Sequence, residues 1–408
     1  MQHLYYRISL FLLFFFVHPI AHCQDLDTLK VMSYNLLKFP GVNPERISKL
    51  KTIVQHELPD VLIVCELTNG AGADNILYNA LNEDEIDFYD MADYVPGPDT
   101  QNELYYNTDK LGLKEQNVIE TDLRDINEYV LFYKTEDLAY RDDTIFLYAY
   151  ACHLKASSGF EAERNAELIA FKSYLDTRAN AENIILAGDF NFYGSAIEPG
   201  WNTALNGGHV PLFDPIAAPG NWHNNSDFSW LHTQSTRTTD IDGGAYGGMD
   251  DRFDIILVGE DIMSGANNLY YIPESYHAMG QDGVRFNKSL IDSPINTEEP
   301  EDVIESLYWM SDHLPVRLDI LVNTGHLSTP SNKGEVSNTI YYDAENQMLR
   351  FDFDEKDTEM VLYRVDGTLI DTIQISPSNN SHDLKGINPG TYIVKWSDSK
   401  SFKFVKPK

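Results

Sequence analysis

Residues 183–191 read Asn-Ile-Ile-Leu-Ala-Gly-Asp-Phe-Asn, an apolar run that ends in Gly188, Asp189 and Asn191. A short apolar run of this kind is typical of a strand that is buried on both faces. Asp189 and Asn191 stand two residues apart, so on an extended backbone both side chains would point to the same side. The stretch predicts a buried strand with a polar site at its end, although an Asx-type turn would also explain these residues.

The same arrangement, polar residues next to an apolar run, recurs along the chain. Its other members are Ser33-Tyr34-Asn35, Val64-Cys65-Glu66, Asp251-Arg252-Phe253-Asp254, Cys152-His153-Leu154-Lys155 and Ser311-Asp312-His313-Leu314-Pro315. Loops at strand ends are where rigid scaffolds display catalytic groups. Strands are predicted at 30–36, 60–67, 88–94, 103–106, 113–120, 129–133, 144–154, 183–187, 252–258 and 316–321, and helices at 44–58, 73–82 and 161–180. The connections 193–250 and 261–309 are long, as functional or locally structured loops are.

Several of these polar residues suit metal and acid–base chemistry. Glu66 follows a five-residue apolar run, where a carboxylate is paired, binds a metal, or is solvated at the strand end. A hard cation such as Mg²⁺ takes oxygen ligands from one or two carboxylates, water and substrate phosphate. Asp312 and His313 are adjacent, so they reach one site only from a loop. Asp254 is a candidate to orient His313 through its second ring nitrogen.

Taken together and in this order, the segments SYNLL, DVLIVCEL, HLKASSG, GDFNF, RFDIILV and SDHLPV resemble the endonuclease/exonuclease/phosphatase superfamily, which has the deoxyribonuclease I-like fold. The resemblance covers residues 30 to about 321. It implies an α/β fold, a four-layer αββα sandwich with the site at one edge of two packed sheets. It also implies a hydrolase of phosphoester bonds that depends on Mg²⁺ or Mn²⁺.

The resemblance implies a role for each polar residue. Asn35 and Glu66 would hold the metal, and Asp312 would support the metal or its water. Asp189 would orient or deprotonate the attacking water, and Asn191 would hydrogen-bond the pentacovalent transition state.

The two histidines and two cations complete the implied site. His153 would act as general acid or oxyanion stabiliser. His313, paired with Asp254, would contact the scissile phosphate or serve as the second acid or base. Arg124 and Lys155 are weaker candidates for contacts with substrate phosphate, and pairing with a neighbouring aspartate (Asp122 or Asp125) is the alternative for Arg124.

The net charge of −33 is concentrated before residue 322: residues 24–322 hold 19 Lys and Arg against 51 Asp and Glu, whereas 323–408 hold 10 against 12. Such a surface excludes a passive nucleic-acid-binding module. It does not exclude an enzyme that recruits divalent cations, because the metal reverses the local sign of the charge. The few cations available to a polyanion are Lys155, Arg124, Arg237, Arg252 and Arg285, of which Arg252 is expected to pair with Asp250 or Asp251.

The N-terminus predicts export. Residues 1–23 combine Arg7, an apolar run at 8–17 and a cleavage motif, Ala21-His22-Cys23, with Gln24 as the mature start. The apolar run is shorter than the roughly 20 residues that span a bilayer, and no later stretch is apolar enough to do so. We expect a secreted or cell-surface protein exported through the periplasm. Cys65 and Cys152 lie inside apolar runs, which favours buried free thiols over a disulfide.

The chain ends in a second kind of unit. Residues 24–322 form the predicted catalytic domain, 323–338 have the composition of a linker, and 339–408 predict a small all-β, sandwich-like module. Its turn signals and Lys-rich last strand resemble the C-terminal sorting domain of the type IX secretion pathway of Gram-negative bacteria, which implies the export machinery as a partner. A carbohydrate-binding or adhesive module is the alternative, in which Tyr392 and Trp396 would form a sugar platform rather than core.

Three functions are consistent with these observations. The first is a secreted, monomeric endonuclease acting on extracellular nucleic acid. The second is a sphingomyelinase-like lipid phosphodiesterase or a phosphatase of the same fold. Tyr270-Tyr271-Ile272-Pro273 or Trp222 and Trp230 would dock a lipid phosphodiesterase on a membrane, and the alternative is that these residues belong to the core. The third is an inactive binding protein, which the presence of every expected site residue disfavours.

Overall fold

The computed structural model describes residues 26–135, 138, 144–178, 181–324, 339–343, 347–352, 358–364, 368–375, 381–397 and 400–406. Contacts divide the chain into two compact units, one of which comprises Leu26–Thr324. The other contains the described residues from 339 onward. The predicted export signal at 1–23 and most of the predicted linker, 325–338, lie outside the described residues.

The first unit alternates strands and helices. Its strands are β1 (Leu26–Phe39), β2 (Val61–Leu67), β3 (Tyr89–Met91), β4 (Gln101–Asn107), β5 (Leu111–Ile119), β6 (Ile126–Tyr133), β7 (Phe146–His153), β8 (Ile184–Asp189), β9 (Leu212–Phe213), β10 (Asp254–Gly259), β11 (Leu269–Tyr271), β12 (His277–Ala278) and β13 (Val316–Asn323). Its helices are α1 (Arg46–Glu57), α2 (Gly70–Ile76), α3 (Glu161–Leu175), α4 (Pro199–Asn206), α5 (Glu260–Ser264) and α6 (Glu301–Met310), with a π-helical turn at Leu77–Leu81 and a 3₁₀ turn at Ser226–Leu231.

These strands form two mixed sheets. The first has the order β11-β13-β1-β2-β4-β3, with β12 also beside β13, and the second has the order β5-β6-β7-β8-β10-β9. β1 runs parallel to β2, and β7 runs parallel to β8. β13 is antiparallel to β1 and β10 is antiparallel to β8. In the first sheet, the carboxyl ends of β1 and β2 therefore lie at the same edge as the amino end of β13. In the second sheet, the carboxyl ends of β7 and β8 lie at the same edge as the amino end of β10.

Alternate residues of β8 belong to two different cores. Ile185 and Ala187 pack in a cluster with residues of the first sheet, whereas Ile184 and Leu186 pack with α3. β7 and β10 alternate in the same way, because successive side chains of a strand point to opposite faces. The sheets thus pack face to face, with α1 and α6 outside the first and α3 and α4 outside the second. The four-layer αββα sandwich is confirmed.

Helices α4 and α6 begin in the long connections to which the sequence analysis assigned no elements. α4 lies within 193–250, and α6 begins within 261–309 and ends at Met310. Pro300 occupies the N-cap of α6, acidic residues fill its first turn, and Val303 and Leu307 are buried. These are ordinary signals of a helix start. These signals form a pattern too short to be recognised among the Gly, Asn and Asp residues of the connection.

Two buried arginines fasten the end of α6 to neighbouring backbone. Arg46 and Arg237 are at most 1% exposed. Arg46 donates to the backbone oxygens of Met310, Leu37 and Leu36, and Arg237 to those of Tyr308, Trp309 and Ile241. Carbonyl groups at a helix C-terminus carry partial negative charge, which cations stabilise. Because Ser311 follows α6 directly, these hydrogen bonds fix the position at which the chain continues beyond the helix.

Other sequence predictions about burial have mixed outcomes. Cys65 and Cys152 are buried free thiols, as predicted. Trp222 and Tyr271 are buried, whereas the side chain of Trp230 is about half exposed. In the part of the chain that the structure describes, no helix has the length and apolar character needed to cross a bilayer.

The second unit is built from strands alone in its described residues. These are β14 (Thr339–Asp343), β15 (Met348–Asp352), β16 (Thr358–Arg364), β17 (Leu369–Ile375), β18 (Ser381–Asp383), β19 (Gly390–Ser397) and β20 (Lys400–Lys406). They form one sheet of order β14-β15-β18 and another of order β17-β16-β19-β20, with the Lys-rich β20 at an edge. Tyr392 is buried in a core with Leu362 and Phe404, so it is not a surface platform for sugars.

Glu103 on β4 is a buried carboxyl group with an unusual environment. It is 1% exposed, its Oε1 accepts from the backbone N–H of Leu104, and its Oε2 has no partner among the described residues. Burial, with a contribution from Asp93, raises the pKa of Glu103 to about 8. The carboxyl group is therefore largely protonated in the folded protein at neutral pH.

Replacing Glu103 should change how stability depends on pH. Its folded pKa lies above its unfolded value of 4.5, so its contribution is complete below pH 4.5 and is lost as pH rises through about 8. Relative to wild type, Glu103→Gln should gain stability between pH 5 and pH 8, on the order of a few kcal/mol. Thermal unfolding across this range measures the gain, with the exposed Glu120→Gln as control. Parallel pH profiles for wild type and Glu103→Gln would contradict the assignment.

Candidate active site

Polar side chains from both sheets meet where β1, β2, β7 and β8 end. The amide nitrogen of Asn35 lies 3.1 Å from Glu66 Oε1 and 3.0 Å from Asp189 Oδ2. One amide group thus joins the first sheet to the end of β8 in the second. Asn35 Oδ1 accepts from the backbone N–H of Leu37 at 2.9 Å. In this orientation Asn35 is a donor to two carboxylates, and it would have to turn over to offer its oxygen to a metal.

The register of the second sheet explains why three polar residues face the first. His153, Asp189 and Asp254 each stand two residues from an inward-facing residue of the same strand, namely Ala151, Ala187 and Ile256. His153 pairs with Asp189 across β7 and β8, and Asp189 pairs with Asp254 across β8 and β10. The three therefore form a row across neighbouring strands on the inner face.

Gly188 allows this row to form. A Cβ atom on Gly188 would lie 1.8 Å from the backbone oxygen of Cys152, its partner on β7. Its φ of 148° is also one that other residues rarely adopt. The close approach of β7 and β8 at this point places His153 beside Asp189.

His153 is enclosed among the carboxylates. Its Nε2 is 3.5 Å from Asp189 Oδ2 and 3.9 Å from Glu66 Oε1. Burial holds the pKa of His153 well below its ordinary value, and the positive charges of Arg124 and His313 act in the same direction. The imidazole is therefore neutral at physiological pH. Its Nδ1 is buried without a hydrogen-bond partner among the described residues.

His313 has the opposite electrostatic environment. Its Nδ1 is 2.7 Å from Asp254 Oδ2, and its Nε2 is 3.8 Å from Asp189 Oδ2. Burial alone would lower its pKa, but the carboxylates of Asp254, Asp312 and Asp189 outweigh burial and raise the pKa of His313 well above its ordinary value. Two histidines with opposite shifts in one site are typical of paired acid–base roles.

The turn after β8 differs from the extended backbone that the spacing of Asp189 and Asn191 suggested. Asn191 has a φ of 52°, and its backbone N–H donates to Asp189 Oδ1 at 2.9 Å. This is the Asx-type turn, so the expectation of two parallel side chains is wrong. The amide of Asn191 instead donates to the backbone oxygen of Leu154 at 3.2 Å. Burial raises the pKa of Asp189 to about 7, with further contributions from Asp254 and Glu66.

Left-handed backbone is concentrated around the carboxylates. Leu37, Lys38 and Glu66 have φ values of 45°, 50° and 62°. The bulge that interrupts the pairing of β1 with β2 directs the backbone N–H of Lys38 to Glu66 Oε2, at 2.9 Å. Such backbone costs about 1–3 kcal/mol per residue and is characteristic of functional sites.

Asp312 is held by residues that the sequence analysis did not single out. Its Oδ2 accepts from the backbone N–H of Ala245 at 2.6 Å and from the amide of Gln234 at 3.4 Å. The same amide lies 2.6 Å from His313 Nε2. Gln234 belongs to a polar run inside a long connection, without periodicity that would have marked it.

The two cations predicted to contact substrate phosphate make contacts within the protein. Arg124 donates to Asp99 Oδ2 and to the oxygen of Leu154, rather than to a neighbouring aspartate. Lys155 donates to its neighbour Ala156 and lies over the ring of Phe160.

Three of the four arginines proposed for polyanions, Arg237, Arg252 and Arg285, are at most 1% exposed, so the expectation is wrong for these three. Arg252 pairs with Asp214, not with Asp250 or Asp251. A guanidinium buried in this acidic protein finds its partners in the interior, which spacing along the chain does not reveal.

The donor set fits a divalent cation. One ligand atom each from Glu66, His153 and Asp189 lies within 4.8 Å of the other two. Two carboxylates at this separation repel each other, and oxygen donors are those that Mg²⁺ and Mn²⁺ take. The side chain of Glu66 is 15% exposed, so the cluster opens to solvent on its side.

Comparisons with known proteins found similar solved structures. TDP2 from D. rerio, complexed with a single-strand DNA product, is 14% identical, with a TM-score of 0.48 over 72% of this chain and 98% of its own. An endonuclease/exonuclease/phosphatase family protein from Bacteroides thetaiotaomicron is 14% identical, with a TM-score of 0.46 over 75% and 99%. The catalytic domain of human Nocturnin with a bound sulfate is 16% identical, with a TM-score of 0.45 over 72% and 96%. No family model and no curated protein matches the sequence.

Gly188→Ala should disrupt both the fold and the site. The added methyl group would force β7 and β8 apart, and we expect a loss of about 4 kcal/mol or more in the free energy of unfolding. Gly159→Ala is the matched control, because Gly159 also has a positive φ but has no atom within 4 Å of the added Cβ. It should cost about 1–2 kcal/mol. Chemical denaturation of both variants measures the difference, and equal losses would contradict the role of close strand approach.

Proposed function

We propose that this protein is a divalent-metal-dependent phosphodiester hydrolase that acts on nucleic acid. The observation that carries the proposal is the row of His153, Asp189 and Asp254, with Glu66 and His313 against it. Hydrolysis of a phosphodiester needs an activated water, charge neutralisation on the phosphoryl oxygens and protonation of the leaving oxygen. The row supplies side chains for each requirement within a few ångströms.

Glu66 would hold the cation, beside Asp189. Bound there, the cation would neutralise negative charge on the phosphoryl oxygens. The bulge in β1 fixes Glu66 through the backbone N–H of Lys38, so the carboxylate is positioned before substrate arrives. Asn35 keeps Glu66 and Asp189 at a constant separation by donating to both.

The chain's own residues would carry out the proton transfers. Asp189, oriented by Asn35, would take the proton of the attacking water through Oδ2. His313 would donate from Nε2 to the phosphate, with Asp254 fixing its ring at Nδ1. His153 would donate to a phosphoryl oxygen from the opposite side of Asp189. Gln234, which contacts His313 Nε2, would be displaced by the phosphate.

Burial removes two of the aromatic residues considered for docking on a lipid surface. A lipid phosphodiesterase would need an exposed apolar surface for membrane docking. Trp222 and Tyr271 are buried, which leaves the half-exposed Trp230 and the partly buried Tyr270 as aromatic candidates for that surface.

Mutation and metal removal test the proposed chemistry. Purified full-length protein would be incubated with supercoiled plasmid, a chromogenic phosphodiester and sphingomyelin vesicles, each with Mg²⁺, Mn²⁺ or EDTA. We expect nicking that EDTA abolishes and that His153→Ala and Asp189→Ala reduce by about 10²–10³-fold. Glu66→Gln should weaken Mn²⁺ binding in calorimetry, a readout that is independent of turnover.

Two exposed residues serve as matched controls, His209→Ala and Asp109→Ala, and both should keep wild-type activity. Turnover of sphingomyelin with an intact plasmid would move the substrate to lipids. Turnover of none of the three substrates would refute the enzymatic proposal.

We also propose that the chain is exported, with residues 1–23 as the signal and 339–408 as a sorting domain. In a Gram-negative host with a type IX pathway, the full-length chain should reach the cell surface or medium. Deletion of 339–408 should leave it in the periplasm, and deletion of 1–23 in the cytoplasm. Cell fractionation measures the distribution, and secretion that does not change on deletion of 339–408 would contradict the sorting role.

A further inference from the structure

A second histidine–carboxylate pair lies beside the candidate active site. His223 Nδ1 is 2.7 Å from Asp251 Oδ1, the same distance that separates His313 Nδ1 from Asp254 Oδ2. The carboxylate of Asp251 is buried, whereas the side chain of His223 is 49% exposed. The carboxylate thus fixes the ring at one nitrogen. The other nitrogen, Nε2, has no hydrogen-bond partner in the described part of the chain.

The position of this pair follows from backbone pairing. Gln234 pairs on one side with Asp251 and on the other with His313. Neighbouring strands lie about 4.8 Å apart, so the backbones of Asp251 and His313 are about 10 Å apart. The backbone that carries Asp251 therefore lies about two strand widths from the backbone that carries His313.

Aromatic packing holds the second imidazole in place. The ring of Tyr193 meets the ring of His223 edge-on, with centroids 5.1 Å apart, and meets Phe253 in the same way at 5.2 Å. The backbone oxygen of Tyr193 also accepts from the N–H of His223 at 3.0 Å. Tyr193 lies two residues after Asn191, so the same segment of the chain contributes to the candidate active site and packs against the second pair.

We propose that His223 binds a second phosphate of the substrate, so that the site acts on a polynucleotide chain rather than on an isolated diester. This inference rests on the proposed function and specifies its substrate. Phosphates recur about every 3.4 Å along the helix axis of a duplex strand, but they also wind around that axis and so lie further apart in space; a separation of about 10 Å therefore corresponds to about one or two nucleotides. His223 would donate from Nε2 to that phosphate while Asp251 holds Nδ1.

The charges around His223 determine how strongly it would bind a phosphate. Arg237, Arg252 and Arg285 are buried, so they do not offer charge to a polymer on this side. Asp250 lies next to the pair, and with His223 and Asp251 it offers three ligand atoms within 4.8 Å. Its negative charge opposes a phosphate, so we expect a contact of modest strength that weakens with salt.

Substrates of different length test the inference in the full-length protein with Mg²⁺. The value of kcat/KM would be measured for a thymidine dinucleotide, which has one phosphodiester, and for a thymidine decanucleotide. His223→Ala should reduce the preference for the decanucleotide about tenfold, through KM. It should also lower the salt dependence of decanucleotide binding by about one phosphate contact. His223→Arg should restore the preference, and the exposed His209→Ala should retain it.

The outcomes separate this inference from the proposed function. Cleavage of both substrates with an unchanged length preference in His223→Ala would overturn the inference and leave the proposed function intact. Loss of a bound Mn²⁺ in His223→Ala, with the preference unchanged, would assign the three side chains to a cation instead and would also overturn it. If wild-type protein cleaves neither substrate, the proposed function fails and the inference falls with it.

Discussion

The contact of one amide group with two carboxylates joins the two sheets at the candidate active site. Asn35 Nδ2 lies about 3 Å from an oxygen of Glu66 and from one of Asp189, which belong to different sheets. Without a shared donor these carboxylates would repel each other across a partly buried gap. The register of the second sheet sets the row of His153, Asp189 and Asp254, and the Asn35 contact joins this row to Glu66 of the first sheet. A hydrogen bond of this kind therefore acts as a constraint on the whole edge of the sandwich.

Packing of the rest of the fold maintains the strained backbone at this edge. Left-handed backbone at Leu37, Lys38, Glu66 and Asn191 would relax in a flexible segment, but here each residue adjoins a strand that is buried on both faces. Arg46 adds a further restraint, since its guanidinium binds the backbone of the β1 bulge and the last residue of α6 together. Strain of a few kcal/mol persists because local relaxation would disturb the packing of both cores. Preorganisation at the strand ends is thus a property of the sandwich and not of the loops alone.

Periodicity and strand-end polarity allowed much of this architecture to be predicted. The apolar runs at 60–67 and 183–187 gave buried strands, and their last polar residues came together as expected. The contacts of Gln234 with Asp312 and of Arg252 with Asp214 were not predictable, because Gln234 and Asp214 lie in a long, aperiodic connection. The Asx-type turn at Asn191 was an open alternative, and the sequence could not decide for it because a left-handed residue leaves no trace in an alternation pattern. Polar contacts between residues that are distant in the sequence depend on how the strands are arranged in space. From a single sequence only the strands themselves can be recognised.

The pairing of β1 with β13 has a consequence for biosynthesis. The first strand of the sandwich lies between β2 and β13, so the last strand to leave the ribosome completes the surroundings of the first. A nascent chain that ends at Met310 lacks both this partner and His313. Non-local pairing of this kind also delays folding until late in synthesis. An unfinished chain of this length therefore lacks His313 at the candidate active site, so under the proposed function it would be inactive during translation.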